Sequence, residues 1–191
     1  GRVDAISVGV SSFSVTSGDL KLNDASVSSN SSITLGSSAE FSVVNLPAQL
    51  TVDFGSRMFW YEGNLDSMVV SNNSAVRVVG TTFTNDIFVL SNSTSQLDSV
   101  VANGNVWTTQ GAFNTIDNTS VDGTLFVFNG GRIDVKGDTK PLATQISCVD
   151  GHADYTGISM LDDAAATECV NTIDARDLQR IVVELRNAAN E

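Results

Sequence analysis

At 191 residues the chain is long enough for one well-buried core with a small appendage. Hydrophobic residues make up 41% and charged residues 17%, and 22 acidic against 10 basic side chains leave a net charge of −12. No Lys/Arg stripe could neutralise nucleic-acid phosphates or an anionic membrane surface. No run reaches the roughly 18 apolar residues of a membrane span. Val, Ile, Leu and Phe recur throughout, which argues against disorder, and Ser, Thr and Asn replace Glu and Lys as surface residues, which points to β-structure.

The chain opens Gly1-Arg2-Val3-Asp4, without the apolar run of a signal peptide. Val3, Ala5, Val8, Val10, Phe13 and Val15 lie among serines and read as one or two strands, closed by the turn Ser17-Gly18-Asp19. Val3, Ile6, Val8 and Val10 are the candidate assembly residues of this segment, which could exchange as a strand with a neighbouring subunit. Leu20 and Leu22 alternate next. From Asn30 the pattern repeats: Ile33/Leu35, Phe41/Val43, Leu50/Val52/Phe54, Met68/Val70, Val76/Val78, Phe88/Leu90, Leu125/Val127 and Ile133/Val135 alternate with polar residues. Turn signals divide them, among them Gly36, Gly55, Gly80, Asn103-Gly104, Gly111, Asp122-Gly123 and Asn129-Gly130-Gly131.

Short strands so regularly interrupted predict an all-β fold, either a parallel β-solenoid or a β-sandwich of jelly-roll type. Ser-Asn units at Asn30, Asn72, Asn92 and Asn118 are spaced 42, 20 and 26 residues apart, near multiples of a rung of roughly 20 residues. That spacing favours the solenoid, whose corners suit Asn and Ser because both tolerate left-handed backbone. Each of the four asparagines also begins a glycosylation sequon at a turn.

Residues 20–137 resemble the right-handed parallel β-helix repeats of secreted adhesins, autotransporter passengers, phage tailspikes and polysaccharide lyases. Gly111-Ala112-Phe113-Asn114 and Phe128-Asn129-Gly130-Gly131 are similar to the short Phe/Asn and Gly-Gly units of polymorphic outer-membrane adhesins. The resemblance implies a right-handed β-helix displayed outside the cell.

The expected division is an N-terminal strand segment (1–19), a solenoid body (20–140) and a C-terminal appendage (141–191). In the appendage, Cys148 and Cys169 are expected to form a disulfide worth about 3 kcal/mol in an exported protein. Between them, Asp150, Asp154, Asp162 and Asp163 are candidate oxygen ligands for Ca²⁺, the one cofactor the sequence brings into question. Leu178, Ile181, Val182 and Leu185 recur at helical spacing after the N-cap candidate Asp174, predicting a C-terminal helix that caps the body. The stretch 171–181 resembles the second half of a dockerin repeat, but Ala166, Glu168 and Val170 stand where that loop's first ligands belong, so only the helix start carries over.

No catalytic residues are assigned. Asp53 with Arg57, Asp66, Asp86, Asp98, Asp117 and Asp134 sit in no recognisable motif, and the one histidine, His152, lies outside the repeats. Trp60, Tyr61 and Trp107 are candidate sugar-stacking residues, weighed against a place in the core. The expectation is a non-enzymatic structural or adhesive protein, secreted, cell-surface or on a virion: a filament or appendage subunit, a phage decoration or a surface-binding module. A carbohydrate-binding or polysaccharide-active β-helix is the alternative. Expected partners are further copies of the chain and a carbohydrate or host surface, with no nucleic acid and no membrane span.

Overall fold

The structure, a computed structural model, describes residues 1–137, 139–141, 146–149 and 152–156, as backbone alone beyond Thr139. The chain winds into a parallel β-solenoid of about seven turns. Its strands are β1 (Arg2–Ile6), β2 (Gly9–Val10), β3 (Ser14–Val15), β4 (Asp19–Val27), β5 (Ser31–Ile33), β6 (Ser38–Val52), β7 (Arg57–Val70), β8 (Ala75–Phe83) and β9 (Ile87–Val89). The series continues with β10 (Thr94–Asp98), β11 (Val101–Ala102), β12 (Val106–Thr109), β13 (Phe113–Asp117), β14 (Ser120–Val121), β15 (Leu125–Phe128), β16 (Arg132–Lys136), β17 (Lys140–Pro141), β18 (Ile146–Val149) and β19 (His152–Thr156).

Each coil passes through three strand positions, so the molecule has three faces; β6 and β7 run through all three without a break. On the first face the place of Arg2 is taken in turn by Asp19, Ser38, Arg57, Ala75, Thr94, Phe113, Arg132 and His152, so a coil uses 17 to 20 residues. All pairing is parallel, which excludes the sandwich alternative; the register shifts between Leu46 and Gln49, where β6 meets β7. The ladder is continuous across residue 19, through β1 and β4, and across residue 140, through β14 and β17.

Alternation along each strand sends one side chain in and the next out. The inward positions stack like with like: Leu22, Phe41, Trp60, Val78, Leu97, Ile116 and Val135 form one continuous buried column. Phe41 and Trp60 tilt together at a centroid distance of 4.9 Å, and the indole N–H donates to the Glu62 carbonyl at 3.0 Å. Each such buried side chain contributes about 1.5–3 kcal/mol by leaving water.

The corners explain how a parallel fold closes in so few residues. Between the first and second faces each coil turns on a residue of positive φ: Ser7, Asp24, Val43, Glu62 (with Gly63 after it), Gly80, Ser99, Asn118 and Gly137. Between the third face and the next coil, two consecutive residues do so: Leu35-Gly36, Phe54-Gly55, Asn72-Asn73, Ser91-Asn92, Gln110-Gly111 and Asn129-Gly130. Positive φ at both central positions is the geometry of a type I′ turn. The closing bonds are present, as in Ser74 N to Ser71 O at 3.3 Å and Ser93 N to Leu90 O at 3.1 Å. Each turn also bonds the turn above, as in Gly36 N to Phe54 O at 2.9 Å and Gly55 N to Asn72 O at 2.9 Å.

The four Ser-Asn units do not mark one corner. Asn72 and Asn92 lie in the two-residue turn, Asn118 at the single-residue corner, and Asn30 between the second and third faces. Their irregular spacing follows from sampling three corners of a single repeat. Leu35, Val43 and Phe54 continue the apolar alternation in the sequence yet are exposed, because each occupies a left-handed corner that turns its side chain out of the core. Phe88 and Leu90 likewise belong to the outward set on β9 and its exit, and Ile87 and Val89 fill the core.

Candidate functional site

The expected aromatic trio is divided by the fold. Trp60 is fully buried. Tyr61, its neighbour in β7, points outward from the first face and is 43% exposed. Trp107 lies on the third face, stacked between Phe88 (6.0 Å, 14°) and Phe126 (3.8 Å, 17°), in direct register with both. Both faces of the Trp107 ring are covered by its neighbours, so it offers a sugar only an edge. The indole N–H donates to Asp86 at 3.1 Å, and Asp86 also accepts the Asn105 backbone N–H at 2.8 Å. Burial pushes the Asp86 carboxyl up, but these bonds and the one from the Asn105 side-chain amide outweigh it and hold the group below the ordinary carboxylate range.

Of the other acids considered for catalysis, Asp53 and Asp66 are engaged at corners and Asp134 within β16. Asp53 accepts from Ser71 Oγ and Asn72 Nδ2, each at 2.7 Å, and Asp66 accepts from Asn85 Nδ2 at 2.7 Å. Asp134 pairs with Lys136 at 2.7 Å. Among the described residues no three His, Cys, Asp or Glu side chains come together as a metal site, and no helix is long and apolar enough to cross a membrane. Cys148 sits in β18 in register with Val127, and Asp154 in β19 in register with Asp134. Cys169, Asp150, Asp162, Asp163 and the expected C-terminal helix lie outside the described residues. The four sequon asparagines, Asn30, Asn72, Asn92 and Asn118, are all exposed.

Of the assembly residues, Val3 is 59% and Ile6 70% exposed, whereas Val8 and Val10 are half-buried against the core. β1 pairs along its whole length with β4 of its own chain, which occupies one of its two edges.

The feature that sets one part of the surface apart is the first face. Six of the seven basic residues described, Arg2, Lys21, Arg57, Arg77, Arg132 and Lys136, belong to it, through β1, β4, β7, β8 and β16; the seventh, Lys140, stands in β17 on the second face. The outer column of the second face runs Ser26, Asn45, Asn64, Thr82, Val101 and Ser120 before it reaches Lys140. The period makes this concentration: residues one coil apart land directly above one another, about 4.8 Å apart.

Three of the six cations are neutralised locally: Arg2 by Asp4 at 3.2 Å, Lys21 by Glu40 at 2.7 Å, and Lys136 by Asp134. Arg57, Arg77 and Arg132 form no ion pair with a described residue. Arg77 lies over the Phe59 ring at 5.8 Å and Arg132 over Phe113 at 5.4 Å. Phe59 is itself 37% exposed. Beside it a shallow groove of about 430 Å³ runs between Arg2, Asp19, Lys21, Glu40, Arg57 and Phe59. Such a surface can offer guanidinium donors and apolar ring edges together along the solenoid axis. Compared with protein-family models, with curated proteins and with solved structures, the chain matches none.

Proposed function

We propose that this chain is a non-enzymatic scaffold of a cell, appendage or virion surface, structural or adhesive in role, whose first face makes contact with carbohydrate. The observation that carries the reading is the gathering of six of the seven described basic residues, interleaved with acids, and of the exposed rings of Phe59 and Tyr61 on one face. Enzymatic use of the solenoid is disfavoured because Asp53, Asp66 and Asp86, the half-buried or corner acids, are held by two or more hydrogen bonds each in bracing roles. A rigid stack of coils suits repeated weak contacts along a polymer, since no ordering cost is incurred in the protein on binding. The test is affinity electrophoresis of the purified chain through gels containing soluble polysaccharides. Retardation by at least one glycan is expected, and it should fall when Phe59 and Tyr61 are replaced by Ala; free migration through every gel would end the reading.

Self-assembly is a second reading, favoured by the edge of β1 that pairs with no described strand, beside exposed Val3 and Ile6. Removing residues 1–15 should abolish oligomers seen by light scattering. Oligomers that persist unchanged would rule out an assembly through this edge.

A further inference from the structure

We infer that the carbohydrate of the first face is a linear polysaccharide bearing carboxylate or sulfate groups, bound by two copies of one device, an arginine laid over the phenylalanine opposite it on the preceding coil; the inference rests on the carbohydrate reading above. Phe59 pairs in register with Arg77, and Phe113 with Arg132. In each case the guanidinium lies over the ring, at 5.8 and 5.4 Å. Contact with the ring fixes one face of the guanidinium and leaves its N–H edge to solvent. A fixed planar fork matches the paired oxygens of a carboxylate or sulfate, and less side-chain entropy is lost when the bond forms.

Lys21, Lys136 and Arg2, by contrast, are paired to acids on the protein. The unpaired arginines are spread out: Arg77 in β8 and Arg132 in β16 are separated by β10 and β13, about 14 Å along the axis at the usual strand spacing. Arg57 sits one coil before Arg77, opposite Ala75 and beside Phe59. Sparse cations interleaved with Asp4, Asp19, Glu40, Asp98, Asp117 and Asp134 would repel a duplex carrying one charge per about 1.7 Å. They fit a polymer whose charges are separated by whole sugar rings, and Tyr61 and Phe59 supply apolar surface for the C–H faces between them.

The experiment compares dextran sulfate, alginate and neutral dextran as ligands in affinity electrophoresis, at low and high salt. The native chain should bind dextran sulfate and alginate at least about tenfold more tightly than dextran, with the difference shrinking as salt rises. Arg77→Gln with Arg132→Gln should lose most of that preference, and Arg77→Lys with Arg132→Lys should restore only part of it. Lys140→Gln, which removes a cation of equal charge from a position on the second face, should leave it nearly unchanged. Equal binding of dextran and dextran sulfate would overturn the anion inference and leave the carbohydrate reading standing. A double glutamine variant that binds dextran sulfate like the native chain would overturn the arginine device. Failure to bind any of the three would sink both.

Discussion

Leu35 and Phe54 occupy the first position of the two-residue corner with φ of 56° and 52°, where the neighbouring coils use Asn72, Ser91 and Asn129. A side chain in left-handed backbone costs about 1–2 kcal/mol, and Asn recovers part of this through local hydrogen bonding. Both side chains are more than half exposed, so little burial offsets the strain. Leu35→Asn and Phe54→Asn are each expected to stabilise the fold by about 0.5–1 kcal/mol, read as a higher urea midpoint at unchanged slope. Asp86 acts in the opposite sense. Its carboxylate is held below the ordinary range by the bonds from Asn105 and Trp107. A depressed folded value means the contribution is present above the unfolded pKa, about 3.9, and is lost as pH falls through the lower, folded value. Asp86→Asn should therefore cost about 1 kcal/mol at pH 7, the low end of the range because the side chain remains half in water. The gap between variant and native chain should close below about pH 4; a constant gap in urea titrations from pH 7 to 3 would contradict the assignment.

At the scale of the element, the two-residue corner is stabilised from inside by a serine ladder. Ser37, Ser56, Ser74 and Ser93 directly follow the turn and are all essentially inaccessible to water. The Ser74 Oγ accepts the Ser56 N–H, and the Ser93 Oγ accepts the Ser74 N–H, both at 3.2 Å, so each hydroxyl satisfies a backbone group of the coil below. Ser37 and Ser56 also donate to the carbonyls of Thr34 and Asp53 at 2.6 Å. The ladder stops at Ala112 and Gly131, where the turn closes without it. Ser74→Ala should strand the Ser56 N–H and cost about 1–3 kcal/mol; a loss below about 0.5 kcal/mol in thermal or urea unfolding would mean the hydroxyl is dispensable. The same ladder holds the repeat that the Ser-Asn spacing only approximates. Gly36-Ser37, Gly55-Ser56, Asn73-Ser74 and Asn92-Ser93 fall one coil apart, a more regular signal than sequons drawn from three corners.

For the whole molecule, each coil touches chiefly the coil before and the coil after, so stability is close to a sum of coils and their interfaces. Removing residues 75–93 deletes one complete coil and joins Ser74 to Thr94, a residue already in register with Ala75. Trp60 would then stack on Leu97 in place of Val78. The shortened chain is expected to fold with the same β-rich circular dichroism and a lower melting temperature. Deleting only 75–84, half a coil, should put outward residues inside and prevent folding. If both deletions behaved alike, the coil would not be the unit of the fold. The binding face is a property of this same scale. Phe59 and Arg77, and Phe113 and Arg132, are 18 and 19 residues apart in the chain and meet only because the coil has that length.

Alternation of apolar residues, and turns rich in Gly, Asn and Ser, were sufficient to establish an all-β fold of short strands and to favour a solenoid, because side-chain period and turn chemistry are local properties. The core stacks at Met68/Val70, Val76/Val78, Leu125/Val127 and Ile133/Val135 were legible in this way. Leu35, Val43 and Phe54 were not, since a left-handed corner reverses the side to which a residue points without leaving any mark in an apolar alternation. Nor was the fate of the aromatics: β7 sends Trp60 inward and Phe59 and Tyr61 outward, and the third face stacks Trp107 between two phenylalanines. Which side chains share a face, and which arginine lies over which ring, was decided only by winding the chain. Contacts between residues a full coil apart depend on where the corners absorb the 17 to 20 residues of each coil, and alternation within a strand does not record that.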